Sequence, residues 1–292
     1  MKCEHPYMKY EPSVDSIVPF PCGHCYACRS AQARVWVLRN FLESQMHDNF
    51  AFVTLTYDNQ HLPTGSNLES SAISSFMKRL RYYLPYKVRY YGCGEYGEKR
   101  GRPHYHLLIF GLKENDYVYV NQAWNKGRVD VQTPRDPVKS IAYTATYVTK
   151  KIGKIDAWCK SNRRQVAPFQ RCSLSLGLDF ALKHIPLFTT RLRVFGKVWY
   201  VGRYLRNKLA EKFSVLEEIK QAGLQMLSVE MEDVLTRFFT ETSGKFVNHL
   251  GREVAYKLYS RETALVAWKH CYNGDFELQK ARSKLFSRDR FG

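Results

Sequence analysis

The chain has 292 residues, of which 45% are hydrophobic and 25% charged, so it can form a packed core and disorder is not expected. Lysine and arginine outnumber aspartate and glutamate by 45 to 27, and the net charge of +18 favours a polyanionic partner, nucleic acid before an anionic membrane. Because the sequence contains no run of about 18 apolar residues and does not open on a signal peptide, we expect a cytoplasmic protein that does not bind membranes.

The amino-terminal residues 1–29 are rich in proline and are expected to be irregular, ending in a cluster of cysteines. Cys22, Cys25 and Cys28 supply three thiols at two-residue gaps, a spacing that indicates metal binding rather than disulfides in a cytosolic chain. A structural Zn²⁺ would order this segment, which has little core of its own. Free thiols are the alternative, and an iron–sulfur cluster is disfavoured because no nearby fourth cysteine completes its pattern. The fourth zinc ligand is open, in this order of preference: Cys3, His5, His24.

Residues from about 30 to 154 alternate between helical and strand patterns. A helix is expected from about residue 30 to 46, and a second one follows a cap at Ser66 or Asn67. Strands are expected over 50–57, 87–91 and 104–110, with a turn-rich stretch from Gly92 to Pro103. A further helix is expected over 136–152, beginning at Asp136 and Pro137. This order predicts an α+β domain with an antiparallel sheet.

Two histidines in the strand over 104–110 form the first candidate site. His104 and His106 alternate with Tyr105, so their side chains share one face about 7 Å apart along the strand, close enough to bind one metal ion. Glu95, in the glycine-rich turn upstream, can complete the ligand set, with Glu98 as its competitor. Imidazole and carboxylate suit Mg²⁺ or Mn²⁺, and manganese tolerates nitrogen ligands better. Two imidazoles on a partly solvated sheet face are the alternative interpretation.

The helix over 136–152 carries the candidate nucleophiles. Ile141 belongs to its apolar stripe, whereas Tyr143, Tyr147 and Lys150 lie on nearly the opposite side, where tyrosines are not needed for packing. A phenol is a weak nucleophile at neutral pH, and a cation such as Lys150 or Lys151 favours the reactive phenolate.

The chain after residue 155 is strongly basic up to about residue 208 and carries no recognisable chemical motif. A hairpin is expected over 191–201 around Gly196, followed by helices. The predicted division is a cysteine-rich segment over 1–48, a catalytic domain over 49–155 and a basic region over 156–292. Contacts to DNA are expected from a set of cations: Arg102, Lys151, Arg163, Arg164, Arg191 and Arg193.

Three of these segments, in this order, resemble the HUH endonuclease superfamily. Residues 52–57 (FVTLTY) are similar to its first motif, residues 102–106 (RPHYH) to its metal motif, and residues 143–150 (YTATYVTK) to its nucleophile motif. Within the superfamily the sequence is most similar to the two-tyrosine replication initiators of small single-stranded DNA phages, especially gokushovirus-type microviruses. Residues 21–28 (PCGHCYAC) resemble the amino end of the same proteins.

The resemblance implies a ferredoxin-like or RRM-like fold with the histidines on a central strand. It implies a DNA-nicking enzyme in a bacterial host cell, with the metal bound by His104, His106 and Glu95, which joins a tyrosine to the 5′ phosphate of a single-stranded origin. The freed 3′-hydroxyl would then serve a host polymerase, with a helicase as a further partner, in rolling-circle replication. A non-catalytic RRM-like nucleic-acid-binding protein and a related transposase or relaxase are the alternatives.

Overall fold

The computed structural model describes residues 2–97, 101–134, 141, 166–194, 196–242 and 260–288, with side chains up to residue 281. The described strands are β1 (Tyr7–Glu11), β2 (Ser16–Phe20), β3 (Phe50–Tyr57), β4 (Arg89–Tyr96), β5 (Pro103–Phe110), β6 (Gly127–Gln132), β7 (Phe169–Cys172), β8 (Arg191–Val194) and β9 (Lys197–Tyr200). The described helices are α1 (Tyr26–Ser44), α2 (Ser70–Tyr83), α3 (Tyr117–Trp124), α4 (Leu178–His184), α5 (Gly202–Lys212), α6 (Leu216–Thr242) and α7 (Arg261–Arg288).

The chain divides into two compact units that do not follow the three consecutive segments expected from the sequence. One unit combines residues 1–31 with residues 213–292, and the other comprises residues 32–212. None of the helices in the described part of the chain has both the length and the apolar character needed to cross a membrane.

The unit over residues 32–212 is built on a five-stranded sheet with the strand order β6-β3-β5-β4-β7. Every neighbouring pair is antiparallel. The segment β3-α2-β4-β5-α3-β6 therefore has the split βαβ arrangement of a ferredoxin-like fold, with β7 added at the edge next to β4. The α+β fold with an antiparallel sheet is confirmed.

Alternation along β5 separates the two faces of this sheet. Tyr105, Leu107 and Ile109 are fully buried in a core that α2 and α3 cover. His104 and His106 lie on the opposite face, where Leu108 contributes to a second, smaller apolar cluster.

The expectation of a turn from Gly92 to Pro103 was wrong, because β4 continues through Gly92 and Gly94 to Tyr96. A Cβ atom on Gly92 would lie 2.9 Å from Cγ of Leu107, and one on Gly94 would lie 3.0 Å from side-chain atoms of Leu68 and Phe169. The glycines therefore allow close packing within a central strand. The consequence is that Glu95 lies inside the sheet and not in a loop.

The start of α2 also differs from the sequence expectation. The helix begins at Ser70 and not after a cap at Ser66 or Asn67. The amide of Leu68 donates to the hydroxyl of Tyr96 at 3.1 Å, and that of Glu69 donates to the hydroxyl of Tyr105 at 3.0 Å. Tyrosines of the sheet thus satisfy amides at the helix entrance that a local serine or asparagine cap otherwise satisfies.

The other unit joins the two ends of the chain. The strands β1 and β2 form an antiparallel hairpin, so the expectation that residues 1–29 are irregular was wrong. Met8 and Ile17 of this hairpin are buried with Met231 and Leu235 of α6 and Trp268 of α7. The apolar residues of the hairpin therefore have their packing partners more than 200 positions away along the chain.

Candidate functional site

The register of the central strands brings the three expected metal ligands to one sheet face. Glu95 of β4 is the direct cross-strand partner of His104 on β5, and Cys93 is the partner of His106. Nε2 of His106 lies 3.0 Å from Oε1 of Glu95. The rings of His104 and His106 are 6.4 Å apart between centroids, so His104 is the outlying member of the three.

This site is largely shielded from solvent. Glu95 is 6% exposed, and both histidines are partly buried. Burial lowers the pKa of His104, the charge of His106 acts in the same direction, and Glu95 opposes both. A lowered pKa keeps the His104 imidazole neutral near pH 7, which is the form that binds metals.

Two threonines of β3, which the sequence analysis missed, hold the imidazoles from the other side. Thr54 pairs with His106 and Thr56 with His104 in the strand register. Oγ1 of Thr54 lies 3.1 Å from Nδ1 of His106, and Oγ1 of Thr56 lies 3.2 Å from Nδ1 of His104. Each histidine therefore has its Nδ1 engaged by a threonine hydroxyl, which leaves Nε2 as the nitrogen for a metal.

Neighbouring side chains and a glycine confine the two rings further. The ring of Phe52 stacks on that of His106 at a centroid distance of 5.7 Å and an angle of 8°. A Cβ atom on Gly97 would lie 2.4 Å from Nε2 of His104, so a glycine is required beside that nitrogen.

The donor set suits the expected cation. Two imidazole nitrogens and one carboxylate lie together on the sheet, and a buried carboxylate such as Glu95 needs a compensating cation. Within the described part of the chain, Glu95 forms its ion-pair contact with His106. Glu98, the competing carboxylate, lies outside the described residues, so the choice between the two remains a prediction.

The expected nucleophiles Tyr143 and Tyr147, with Lys150 and Lys151, lie outside the described residues, as do Arg163 and Arg164. Ile141, which precedes Tyr143 by two positions, is helical and fully buried in the cluster that includes Cys93 and Leu108. This places one residue of the expected helix on the histidine face of the sheet.

Tyr91 is a described tyrosine on the histidine face, but it is a poor candidate for the nucleophile. Its side chain is fully buried, and burial raises its pKa well above the ordinary value. Its hydroxyl donates to Oε1 of Gln170 at 3.1 Å. A buried phenol of this kind cannot readily form the phenolate that attack on phosphorus requires.

The described cations among the expected DNA contacts have different surroundings. Arg102 donates to the carbonyl oxygen of Tyr57 at 2.8 Å and to Oδ1 of Asn59 at 2.6 Å, so it fastens the end of β3. Arg191 and Arg193 are exposed on the hairpin formed by β8 and β9, which confirms the hairpin predicted from the sequence. Their role in DNA binding remains a prediction.

The cysteines of the amino-terminal segment form a second candidate site. The sulfur atoms of Cys3, Cys22, Cys25 and Cys28 all lie within 4.8 Å of one another. Within the described residues, no other group of three or more histidine, cysteine or acidic side chains forms a comparable cluster. The competing ligands lie at the surface: His5 has an exposed ring near Glu4, and His24 is exposed.

The thiols of this cluster differ in their acidity. Burial acts to raise the pKa of Cys22, but hydrogen bonds from the amides of His24 and Cys25 outweigh it and lower the pKa to about 7. Burial raises the pKa of Cys3 to about 11. At least one thiolate is therefore accessible near neutral pH even before a metal is bound.

Comparison with known proteins identifies relatives among phage proteins. Residues 50–152 match a family of replication-associated proteins described by its ORF2 members. The chain is 30% identical over 256 residues to Replication-associated protein ORF4 of Chlamydia phage 1, a match that covers 76% of this chain and 62% of that protein. It is 34% identical over 160 residues to Replication-associated protein VP4 of Bdellovibrio phage phiMH2K, covering 46% of this chain and 49% of that protein.

A third relative is Replication-associated protein ORF2 of Spiroplasma virus 4, which is 30% identical over 189 residues. That match covers 56% of this chain and 57% of the relative. The chain thus spans less than two thirds of the length of each of these three proteins. No solved structure matches the chain significantly.

Proposed function

Because residues 50–152 match a family of replication-associated proteins, we propose that the chain initiates the replication of a small phage genome by nicking single-stranded DNA at its origin. The observation that carries the proposal is the placement of Glu95, His104 and His106 on one sheet face, with the histidines held by Thr54 and Thr56. A site of this kind suits phosphodiester chemistry, whereas a module that only binds nucleic acid has no need of a buried carboxylate between two imidazoles.

Glu95, His104 and His106 are the residues that would hold Mg²⁺ or Mn²⁺. When bound, such an ion supplies polarisation of the scissile phosphate and neutralisation of the charge that develops on its oxygens. Thr54 and Thr56 keep the imidazoles in the orientation that directs Nε2 toward the ligand position. The partial burial of the site keeps competing water away from the reacting phosphate.

The phenolic oxygen of Tyr143 or Tyr147 then forms a bond to phosphorus while the bond from phosphorus to the 3′ oxygen breaks. The phenol loses its proton, and the departing oxygen takes one up to become the free 3′-hydroxyl. Lys150 stabilises the phenolate or phosphate charge, with Lys151 as its alternate. Because one phosphodiester bond replaces another, the 5′-phosphotyrosine link can be resealed without ATP.

Two tyrosines fit the needs of rolling-circle replication, which requires two transfers. One tyrosine carries the original 5′ end while the other attacks the regenerated origin. A host polymerase extends the 3′-hydroxyl and a helicase opens the duplex ahead of it. The packing of Ile141 on the histidine face supports this assignment, because Tyr143 follows it by two positions.

The test uses the full chain and tiled single-stranded fragments of the phage genome in which it occurs, followed by denaturing electrophoresis. We expect a covalent protein–DNA adduct that depends on Mn²⁺ or Mg²⁺ and is abolished by chelator. Each of the variants Tyr143→Phe and Tyr147→Phe should keep part of the first nicking reaction, with Tyr147 slightly favoured because it lies nearer Lys150 in the sequence. The double variant should form no adduct. The matched control is Tyr82→Phe, which removes a hydroxyl from a residue of α2 that is 86% exposed.

The metal ligands are tested in the same assay. His106→Ala should abolish nicking while DNA binding persists, because positive charge elsewhere supplies the affinity. His61→Ala, which removes a half-exposed imidazole paired with Asp58, should leave nicking unchanged. Full activity in chelator would refute the metal site. DNA binding without any adduct, on every fragment, would instead support the non-catalytic alternative.

A further inference from the structure

The sulfur atoms of the cysteine cluster have the spacing of a site for a single metal ion. Sγ of Cys25 lies 3.9 Å from Sγ of Cys3, and all four sulfurs lie within 4.8 Å of one another. A tetrahedral site with metal–sulfur bonds of about 2.3 Å has sulfur–sulfur distances of about 3.8 Å. A disulfide requires about 2.05 Å, and all four cysteines are free. A multi-iron cluster, in which different cysteines bind different irons, needs a wider spacing.

The backbone around the cluster is arranged to support thiolates. The amide of Cys22 donates to Sγ of Cys3 at 3.3 Å, and the amides of His24 and Cys25 donate to Sγ of Cys22 at 3.4 and 3.3 Å. Amide groups directed at sulfur stabilise its anionic form, which is the form that binds a metal. Cys25 is buried and the other three cysteines are partly buried, so the cluster is enclosed by protein.

The cluster is also joined to the far end of the chain. The carbonyl oxygen of Cys3 accepts a hydrogen bond of 2.9 Å from Nε1 of Trp268 on α7, and that of Lys2 accepts one of 3.2 Å from Gln279. Lys2 forms an ion pair with Glu230 of α6. The residues that flank the first cysteine are therefore held by both carboxy-terminal helices.

We propose that Cys3, Cys22, Cys25 and Cys28 bind one structural Zn²⁺ that fixes the amino-terminal segment to the pair of helices formed by α6 and α7. Four protein ligands leave no open coordination position, which is typical of a structural rather than a catalytic zinc site. The ion ties residue 3 to residues 22–28, and residue 3 in turn holds Trp268. This role is separate from the nicking proposal, because the site shares no residue with it.

The test begins with the full chain purified from cells grown in zinc-supplemented medium. Elemental analysis should find about one zinc per chain. Replacement by Co²⁺ should give the intense visible absorption of a tetrahedral cobalt thiolate, which reports on sulfur ligation independently of any activity. Cys25→Ser should lose this absorption and the zinc. Cys271→Ser, which alters a partly buried thiol of α7 outside the cluster, should keep both.

Hydrogen exchange of the intact chain tests the structural role without relying on a variant that fails to fold. After removal of zinc by a strong chelator, amide protection should fall in residues 2–28 and also in α6 and α7. Amides of β3 and β5 serve as the internal reference. The proposal would be overturned by protein that carries no zinc after this purification, by zinc retained in Cys25→Ser, by the absorption of bound iron in place of zinc, or by unchanged protection of α7 after zinc removal.

Discussion

At the scale of single residues, the histidine site depends on which ring nitrogen is free. The hydroxyls of Thr54 and Thr56 each lie within hydrogen-bond distance of an Nδ1 atom, and they come from the strand that contains the segment FVTLTY. These threonines are positioning residues: they act on a metal only through the histidines. Their alternation along β3 was visible in the sequence, but the register that places each one opposite a histidine was not.

The first prediction concerns Thr54. Thr54→Val removes the hydroxyl while keeping the β-branched shape, so the His106 ring loses its orienting partner. We expect the affinity for Mn²⁺, measured by titration followed by electron paramagnetic resonance, to fall by roughly 10–100-fold.

Two further variants isolate the effect of that hydroxyl. Thr54→Ser, which keeps the hydroxyl, should bind Mn²⁺ nearly as well as the original protein. Thr64→Val, at an exposed position, should have no effect. Equal Mn²⁺ affinity in Thr54→Val and the original protein would show that the threonine does not orient the ring.

A buried carboxylate on α1 is a second residue-scale feature, and no pattern along the chain indicated it. Glu43 lies 2.9 Å from Nε2 of His47 and 2.6 Å from Nε of Arg89, and it accepts a hydrogen bond of 2.7 Å from the amide of Gly177. Burial alone raises the pKa of this carboxyl group, but the contacts with His47, Gly177 and Arg89 outweigh burial and lower it. The carboxylate thereby holds three separate segments of the unit over residues 32–212.

The second prediction follows from the direction of that pKa shift. Because the pKa of Glu43 is lower in the folded state, its ionisation stabilises the fold above the ordinary carboxyl pKa, and this stabilisation is lost as pH falls through the lowered pKa. Glu43→Gln should reduce the free energy of unfolding at pH 7 by roughly 3 kcal/mol.

Urea denaturation at several pH values measures the effect. The difference between Glu43→Gln and the original protein should shrink once the pH falls below about 4. The control is Glu217→Gln, at a side chain that is 81% exposed. A difference that stays constant from pH 7 to pH 3 would mean that the charge of Glu43 is not what stabilises the fold.

At the scale of elements, periodicity predicted the strands whose partners lie close by and failed where distant packing decides. The pattern over residues 50–57 predicted β3, and the alternation after Arg102 predicted β5. The glycines of β4 resembled a turn because the side chains that fill their space, from Leu107 and Phe169, are supplied by other strands. The hairpin of β1 and β2 was missed because its packing partners are the helices at the other end of the chain.

The hairpin of β8 and β9 has one face that combines positive charge with aromatic and apolar surface. Arg191 pairs across the strands with Tyr200, and Arg193 pairs with Val198, so the four side chains share that face. All four are exposed, with Tyr200 at 47%. Single-stranded nucleic acids are bound by such combinations, in which cations contact phosphates and rings stack on bases.

The third prediction concerns this face. In the double variant Arg191→Ala and Arg193→Ala, binding to single-stranded DNA should weaken, and the slope of log affinity against log salt concentration should fall by about 0.7 for each lost phosphate contact. Fluorescence anisotropy with a labelled oligonucleotide measures both. The matched control is the double variant Lys208→Ala and Lys220→Ala, which removes two charges from helices. Identical slopes for the two double variants would remove the hairpin from the DNA surface.

At the scale of the whole molecule, the compact units cut across the order of the sequence. Residues 49–155, the expected catalytic segment, lack β7, whose Phe169–Cys172 pairs with Gly94–Tyr91 of β4. They also lack Val37 of α1, which packs with Tyr91 and Leu108. No local pattern marks these dependencies, because they arise from sheet pairing and helix packing between separated segments.

The fourth prediction compares two fragments. Residues 32–212 should fold cooperatively by themselves, and residues 49–155 should not, because the shorter fragment loses an edge strand and one layer of the histidine-face core. Circular dichroism and dispersed amide signals in nuclear magnetic resonance spectra distinguish the two cases. A cooperative melting transition in the shorter fragment would show that β7 and α1 are dispensable for the sheet.

The joining of the two chain ends in one unit sets a timetable for synthesis on the ribosome. Residues 1–31 are made first, but the helices that bury Met8 and Ile17 begin after Phe213. At about 5–20 residues per second, the amino-terminal hairpin waits roughly 10–35 s for its partners, while the sheet unit between them is completed. All four clustered cysteines lie within the first 28 residues. A metal ion can therefore give the nascent amino terminus its shape during the interval in which no helix is there to pack against it.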